Sequence, residues 1–346
     1  MGDPPKRPSP NPSLAMNPLY PLLMIPEFDP RPWGTMDLSP IYPSQHFAQK
    51  IGEAWLTGDH CRIANGHLAG RRLDEVSQQF GRALVGDAAR DAQRFPLLVK
   101  FLFPHEKLSV QVHPDDAAAQ EIGEPWGKTE CWYFAHAQPG ARVGMGLKEG
   151  VTRQQFAQAI QEKRAEVMLN WVDVHAGDMI YVGAGTVHTL GPGSILMETQ
   201  QQSDATYRLY DYGRPRELHL ERGLAAVKPD AIAGKVARKP LDSKHSDEAD
   251  ELIAAPYFAV NRYRLSYARE LFTAEPHCPA SVQIIVAVDG NATVETAGHP
   301  PADFGKGDAV VIPASAEGFL VEPKGHVEFL ISRVPGQTLP EPVIST

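Results

Sequence analysis

Cysteine is scarce in this chain of 346 residues: Cys61, Cys131 and Cys278 are the only three, and no two of them form a CxxC pair. Neither a disulfide framework nor a CxxC-type zinc–thiolate site is suggested by this, and a reducing, cytoplasmic compartment is expected. No apolar run approaches the ~20 residues that a membrane helix needs. Residues 1–18 lack the apolar stretch of a secretion signal. They are proline-rich and polar, and a disordered extension is expected there. Basic charge is not in excess either, since the formal net charge is −9. A nucleic-acid binder needs a basic footprint, so that class is set aside. The expected partner is a small molecule, with no membrane or nucleic acid involved, and the chain is expected to be a monomer or a weak homo-oligomer.

What is present is enough apolar material for a core, 42% of the residues, divided by 29 glycines and 31 prolines. Short β-branched and aromatic runs lie between these breakers: 97–103, 108–112, 130–135, 179–182, 187–190 and 195–200, then 258–265, 282–288, 309–312 and 326–332. Such spacing predicts a mainly β chain, a sandwich or barrel. Helices interrupt it. Thr152 with Gln155 three residues on reads as a capping box opening a helix over 152–168, with Phe156, Ala159, Ile160 and Lys163 on one stripe. Leu73, Val76, Phe80 and Leu84 form a second stripe, and 218–227 a third. The charged stretch 228–249 reads as a linker. Across it lies a short repeat at an offset of 130 residues, in which Gly177-Asp178 and the strand after it match Gly307-Asp308 and theirs. On that register His188 falls opposite Gly318.

Chemistry is carried by three strand contexts. In Ser109-Val-Gln111-Val-His113-Pro-Asp-Asp116, residues two apart share a face, so Gln111 and His113 project together. In Glu130-Cys-Trp132-Tyr-Phe134 a carboxylate shares a face with two aromatics. In Gly183-Ala-Gly-Thr-Val-His188 a glycine turn feeds a strand with one histidine. A single histidine in a strand is more often a hydrogen-bonded core residue than a ligand. Three such contexts together assemble two imidazoles, a carboxylate and an amide oxygen, each costly to bury alone. This nitrogen and oxygen set without sulfur suits Zn²⁺, Fe²⁺, Mn²⁺ or Co²⁺, with positions left for water or substrate.

These segments, with Leu19-Tyr-Pro-Leu22, Pro32-Trp-Gly34, Gly52-Glu-Ala-Trp55, Ala64-Asn-Gly66, Leu98-Val-Lys-Phe-Leu102, Gly127-Lys-Thr-Glu130 and Glu198-Thr-Gln-Gln-Gln-Ser-Asp-Ala-Thr-Tyr-Arg-Leu-Tyr-Asp211, resemble the type I phosphomannose isomerases in their short bacterial form. The match is dense from 19 to 211 and looser to about 335. It implies a cupin (jelly-roll) catalytic barrel with inserted helices over 19–240, and a second, smaller cupin-like β domain without metal ligands over 250–340. It implies an aldose–ketose isomerase that interconverts mannose 6-phosphate and fructose 6-phosphate through a cis-enediol, with one Zn²⁺ per chain on Gln111, His113, Glu130 and His188. By the same resemblance Lys128, Asp204 and Arg208 are catalytic.

Lys128 is the first choice for the proton shuttle, Asp204 for opening the sugar ring, and Arg208 for stabilising the intermediate or clamping the substrate. A salt bridge from Arg208 to Glu198 or Asp211 is the plainer expectation for that side chain. Ser109, two residues before Gln111 on the same face, is a candidate phosphate contact, and Glu198 and Lys128 join it among the substrate contacts. Trp55 and Trp132 are candidate pocket walls. Two other functions remain open at this level: a non-haem metal cupin oxygenase, and a non-catalytic sugar-phosphate-binding cupin.

Overall fold

Alternation along the strands determines the layering. In the computed structural model, which describes residues 19–237, 248–274 and 278–345 and only the backbone of Glu248, three antiparallel sheets are stacked. The expected N-terminal extension over 1–18 and the middle of the expected linker lie outside the described residues.

One sheet orders the strands Tyr207–Tyr210, Val110–Val112, His188–Leu190, Arg142–Leu147 and Leu169–Asp173. Its outer face buries Val110, Val112, Val187, Tyr207 and Leu209 against Phe156 and Ile160 of the helix Arg153–Gln161. The second sheet orders Ala233–Lys235, Met179–Val182, Glu130–Ala137, Ser194–Gln201, Leu97–Leu102, Ile51–Trp55 and Glu27–Thr35. Trp132, Phe134 and Leu196 from this sheet meet Val143, Met145 and Leu190 from the first, closing the barrel interior. The second sheet's other face carries Cys131, Tyr133, Met197 and Tyr181 into a core shared with Val260, Ile284, Val311 and Leu330 of the third sheet.

That shared core crosses the division expected near residue 240. The strand Leu22–Ile25 pairs with Ala309–Ile312, Leu22 facing Val311, so this segment, far ahead of residue 240, is a strand of the C-terminal sheet. Thr199 Oγ1 and Ser332 Oγ, 2.9 Å apart, tie the same two layers together.

The 130-residue repeat has a structural counterpart. Gly177 and Gly307 both take left-handed backbone, with φ of 87° and 89°. Each following aspartate accepts a backbone N–H three residues before it, Asp178 from His175 at 2.8 Å and Asp308 from Gly305 at 2.9 Å. His188 and Gly318 each open a strand.

Two helices are shorter than the stripes suggest. The capping box is present, with Gln155 N–H on Thr152 Oγ1 at 3.2 Å and Thr152 N–H on Gln155 Oε1 at 2.8 Å. The helix nevertheless ends at Gln161, because Lys163 turns into left-handed backbone (φ 59°), and 165–168 continues as a 3₁₀ turn. Lys163 is exposed, so it drops out of the apolar stripe. The 73–84 stripe is likewise two helices, Leu73–Phe80 and Arg82–Val85, broken at Gly81 with φ 50°. No helix among the described residues is long and apolar enough to cross a membrane.

Candidate metal centre and active site

His188, Gln111 and Arg208 form one cross-strand row on the inner face of the first sheet, His188 facing Gln111 and Gln111 facing Arg208. The second sheet supplies Glu130 from across the barrel. Its carboxylate oxygens lie 3.4 Å from His113 Nε2 and 3.4 Å from His188 Nε2. All three side chains are only 1% exposed.

The tautomers follow from the other ring nitrogens. His113 Nδ1 donates to the Ala205 carbonyl at 3.0 Å and His188 Nδ1 to the Thr186 carbonyl at 2.9 Å. Both Nε2 atoms therefore turn lone pairs, not protons, toward the carboxylate. Burial keeps the rings neutral. It pushes His188 down to about 3, and it lowers His113 with help from the Lys128 charge. For Glu130, burial alone would raise the carboxyl, but the Lys128 charge holds it well below the usual carboxylate range. Neither Glu130 oxygen, nor His113 Nε2, has a hydrogen-bond partner.

Three electron-rich atoms facing one another without a proton between them is a costly arrangement by itself. A tetrahedral ion with bonds of about 2.0–2.1 Å would separate its ligands by roughly 3.3–3.5 Å, close to the spacing observed. The donor set therefore fits a divalent cation. Gln111 sits beside it, its amide nitrogen 3.2 Å from His188 Nε2. Half a turn of that amide would place its oxygen at the same point.

Local chain geometry fixes these positions. Gly127 lies against the 114–116 backbone, where a Cβ would stand 2.4 Å from the Asp115 carbonyl carbon. That close approach lets Lys128 N–H bond the Pro114 carbonyl at 3.0 Å and Gly127 N–H bond Asp116 Oδ1 at 2.9 Å. The His113 and Glu130 segments are thus clamped together. Gly185, at φ 91°, turns the chain so that its N–H reaches the His113 carbonyl at 2.9 Å before His188 begins its strand.

Behind the cation-sized gap runs a buried charge ladder. Lys128 Nζ lies 3.3 Å from Glu130 and 3.8 Å from Glu198, and Lys100 Nζ lies 3.3 Å from Glu198 and 3.6 Å from Glu53. Arg31 donates to both oxygens of Glu53, at 3.3 and 3.2 Å. Trp132 Nε1 donates to Glu198 at 3.1 Å and Trp55 Nε1 to Glu53 at 2.8 Å, so both tryptophans line this face. Glu198 is raised by burial and by the Glu130 charge, against the pull of both lysines.

Residues 33–126, which include Gln111 and His113, match the model of the phosphomannose isomerase type I catalytic domain. Mannose-6-phosphate isomerase ManA of Bacillus subtilis is 34% identical over 334 residues, covering 91% of this chain and 99% of the relative. The chain belongs to the type I phosphomannose isomerases. A crystal structure of the mannose 6-phosphate isomerase from Bacillus subtilis superposes with a TM-score of 0.80 at 29% identity, covering 91% of this chain and 99% of that one. A zinc-bound mannose 6-phosphate isomerase structure shares the fold, with a TM-score of 0.69 at 16% identity over 90% of this chain and 98% of that one. The barrel described above is thus the cupin-type catalytic fold of this family.

The remaining site residues of this phosphomannose isomerase divide by position. Glu198 and Lys128 lie in the buried ladder. Ser109 is buried, its hydroxyl donating to Gln111 Oε1 at 3.3 Å. Arg208 does not form either expected salt bridge. Asp211 is taken by Arg214 and Arg216, and Glu198 by the two lysines. The half-buried Arg208 donates Nη1 to the Glu217 carbonyl at 2.7 Å, and its Nε–H has no partner. Asp204 is exposed, and its charge reaches both Arg31 and Lys100.

Lys100, Glu53 and Arg31 are not singled out by the motif reading. The signal was there for two of them. Glu53 and Lys100 are charges in the middle of strands whose every residue is buried, Ile51–Trp55 and Leu97–Leu102. Lys100 and Arg31 together hold the Glu53 carboxyl down to about 2 against the effect of burial. An ordinary glutamate titrates near 4.5. The stabilisation from the depressed carboxyl is therefore complete above pH 4.5 and is lost as the pH falls from there toward 2. The Glu53→Gln variant should be less stable than the parent at neutral pH by about 3 kcal/mol, and the gap should narrow through that acidic window in denaturant titrations. A gap independent of pH would show that Glu53 contributes by packing.

Proposed function

We propose that this phosphomannose isomerase interconverts mannose 6-phosphate and fructose 6-phosphate through a cis-enediol, with one zinc ion held by Gln111, His113, Glu130 and His188. What carries this reading is a buried carboxylate without hydrogen-bond partners that faces two imidazole lone pairs, one unpartnered and one met only by the Gln111 amide, inside a chain of this family. Zinc bound there supplies Lewis acidity toward the neighbouring carbonyl and hydroxyl oxygens of the sugar, without redox chemistry of its own.

The chain's own groups do the rest. Lys128 Nζ, at the end of the buried ladder, carries the proton between the two carbons. Arg208, whose guanidinium faces no carboxylate within ion-pair distance among the described residues, stabilises the negative charge that builds on the oxygens. Asp204, at the exposed end, assists ring opening, and Ser109 and Glu198 contact the substrate. The three carboxylates Glu53, Glu130 and Glu198 are offset by Lys100, Lys128 and Arg31, so a divalent cation leaves the pocket positive, which suits a phosphorylated sugar. The ladder side chains from Glu53 to Glu130 are almost wholly excluded from solvent, which protects a reactive enediol from side reactions. A cytoplasmic protein, monomeric or weakly self-associating, is consistent with this chemistry.

The test is a coupled assay on mannose 6-phosphate with metal analysis. About one zinc per chain and loss of activity on chelation, restored by zinc, are expected. Full activity in metal-free protein would overturn the metal assignment, and binding of fructose 6-phosphate without turnover would return the non-catalytic reading. For the shuttle, Lys128→Met should lower kcat by about 10²–10⁴ with zinc content unchanged, and near-normal turnover would remove Lys128 from that role.

A further inference from the structure

A second group of metal-ligating side chains lies at the outer end of the same sheet. Glu27 opens the edge strand Glu27–Thr35, and His60 and Cys61 lie in the turn after Ile51–Trp55. His60 Nε2 is 3.3 Å from Glu27 Oε2, and these two donors and Cys61 Sγ all lie within 4.8 Å of one another. The group is not part of the barrel interior. Glu27 and His60 side chains are 54% and 43% exposed, while Cys61 is 1% exposed and forms the floor.

We propose that Glu27, His60 and Cys61 form a second cation site, open to solvent, that takes a thiophilic divalent ion such as zinc and acts on the active centre through Trp55. The donor chemistry selects the class of ion. One thiolate, one imidazole and one carboxylate suit zinc and its neighbours and disfavour magnesium or calcium, which prefer oxygen alone. Bond lengths of about 2.0–2.3 Å set ligand separations of roughly 3.3–3.8 Å, so the present spacing closes with small side-chain movements. Cys61 is floor-mounted by the turn that joins its N–H to the Gly58 carbonyl at 2.9 Å, and its thiol rests on the Trp55 carbonyl at 3.5 Å. Burial, with Glu27 and Asp59 adding to it, pushes that thiol up to about 12, against the Gly58 backbone contact, so the incoming ion displaces the thiol proton to solvent. Three protein ligands and solvent access from the exposed side leave a fourth position for water.

The location gives occupancy a consequence. A single cross-strand row runs Trp132, Glu198, Lys100, Trp55, Glu27. His60 lies against the Trp55 ring at 5.0 Å between centroids, and Lys100 Nζ stands over the same indole at 5.1 Å. Drawing His60 and Cys61 toward an ion therefore shifts the indole on which Lys100 rests.

Cobalt discriminates this site from the one inside the barrel, because a sulfur-to-cobalt charge-transfer band needs a thiolate and the barrel set has none. Zinc-loaded enzyme titrated with Co²⁺ should develop that near-ultraviolet band to one equivalent. Cys61→Ser should abolish it, and Glu27→Gln, a change at an exposed side chain, should weaken cobalt affinity at least about tenfold. Zinc added beyond one equivalent should lower turnover severalfold in the parent and leave Cys61→Ser unaffected. Absence of the band at millimolar cobalt, or its survival in Cys61→Ser, would overturn the site. An equal response of both proteins to excess zinc would overturn its action on the active centre.

Discussion

Glu130→Gln should lose isomerase activity by more than about a thousandfold and bind zinc at least about a hundredfold more weakly, while the metal-free protein stays within about 1 kcal/mol of the parent's stability. The reasoning is atomic. In the parent, two carboxylate oxygens face two imidazole lone pairs at 3.4 Å, an arrangement that a cation would make tolerable. A glutamine fills the same volume but brings an N–H₂ group, which can donate to His113 Nε2 or His188 Nε2 and so satisfy the site without metal. Lys128 loses its nearer partner but keeps Glu198 at 3.8 Å. The substitution thus trades ion binding for hydrogen bonding. Zinc stoichiometry, steady-state assays and chelator-treated melting curves check the three parts separately, and retained zinc with full turnover would remove Glu130 from the ligand set.

Arg208→Met should cost about 10²–10³ in kcat, the loss seen when one positioned donor is taken from a developing oxyanion, and should leave zinc content unchanged. Its stability cost should be below about 1 kcal/mol, because the guanidinium makes one hydrogen bond to a backbone carbonyl and no ion pair among the described residues. Burial and the nearby Arg216 already disfavour its charge, so nothing in the resting protein requires an arginine there. Arg208→Lys should recover little, since a point charge on a flexible stem does not replace a planar fork. A loss of less than tenfold would mean that Arg208 does not meet the reacting atoms.

The site was legible wherever a short-range rule governed it. A period of two assigns Gln111 and His113 to one face and Val110 and Val112 to the other, and the structure buries those valines under the 153–161 helix. The capping box at Thr152 marks its helix start correctly, because both partners are three residues apart. The end of that helix was not legible, since a lysine in left-handed backbone carries no local signature. Lys100 and Glu53 were passed over because each stands within a motif that reads as apolar core, and their partners come from other strands. The placement of Leu22–Ile25 in the C-terminal sheet left no trace for the same reason: its pairing with Val310 and Val311 spans almost the whole chain, and periodicity carries no information at that range.

That pairing also sets an order of assembly. Leu22 and Leu23 are synthesised nearly 290 residues before Val310 and Val311. At roughly 10 residues per second this is about half a minute during which an apolar strand has no native neighbour on that side. The Leu22–Ile25 strand is made long before its neighbour in this sheet, and any fragment that omits it exposes the Ala309–Ile312 strand as a sticky edge.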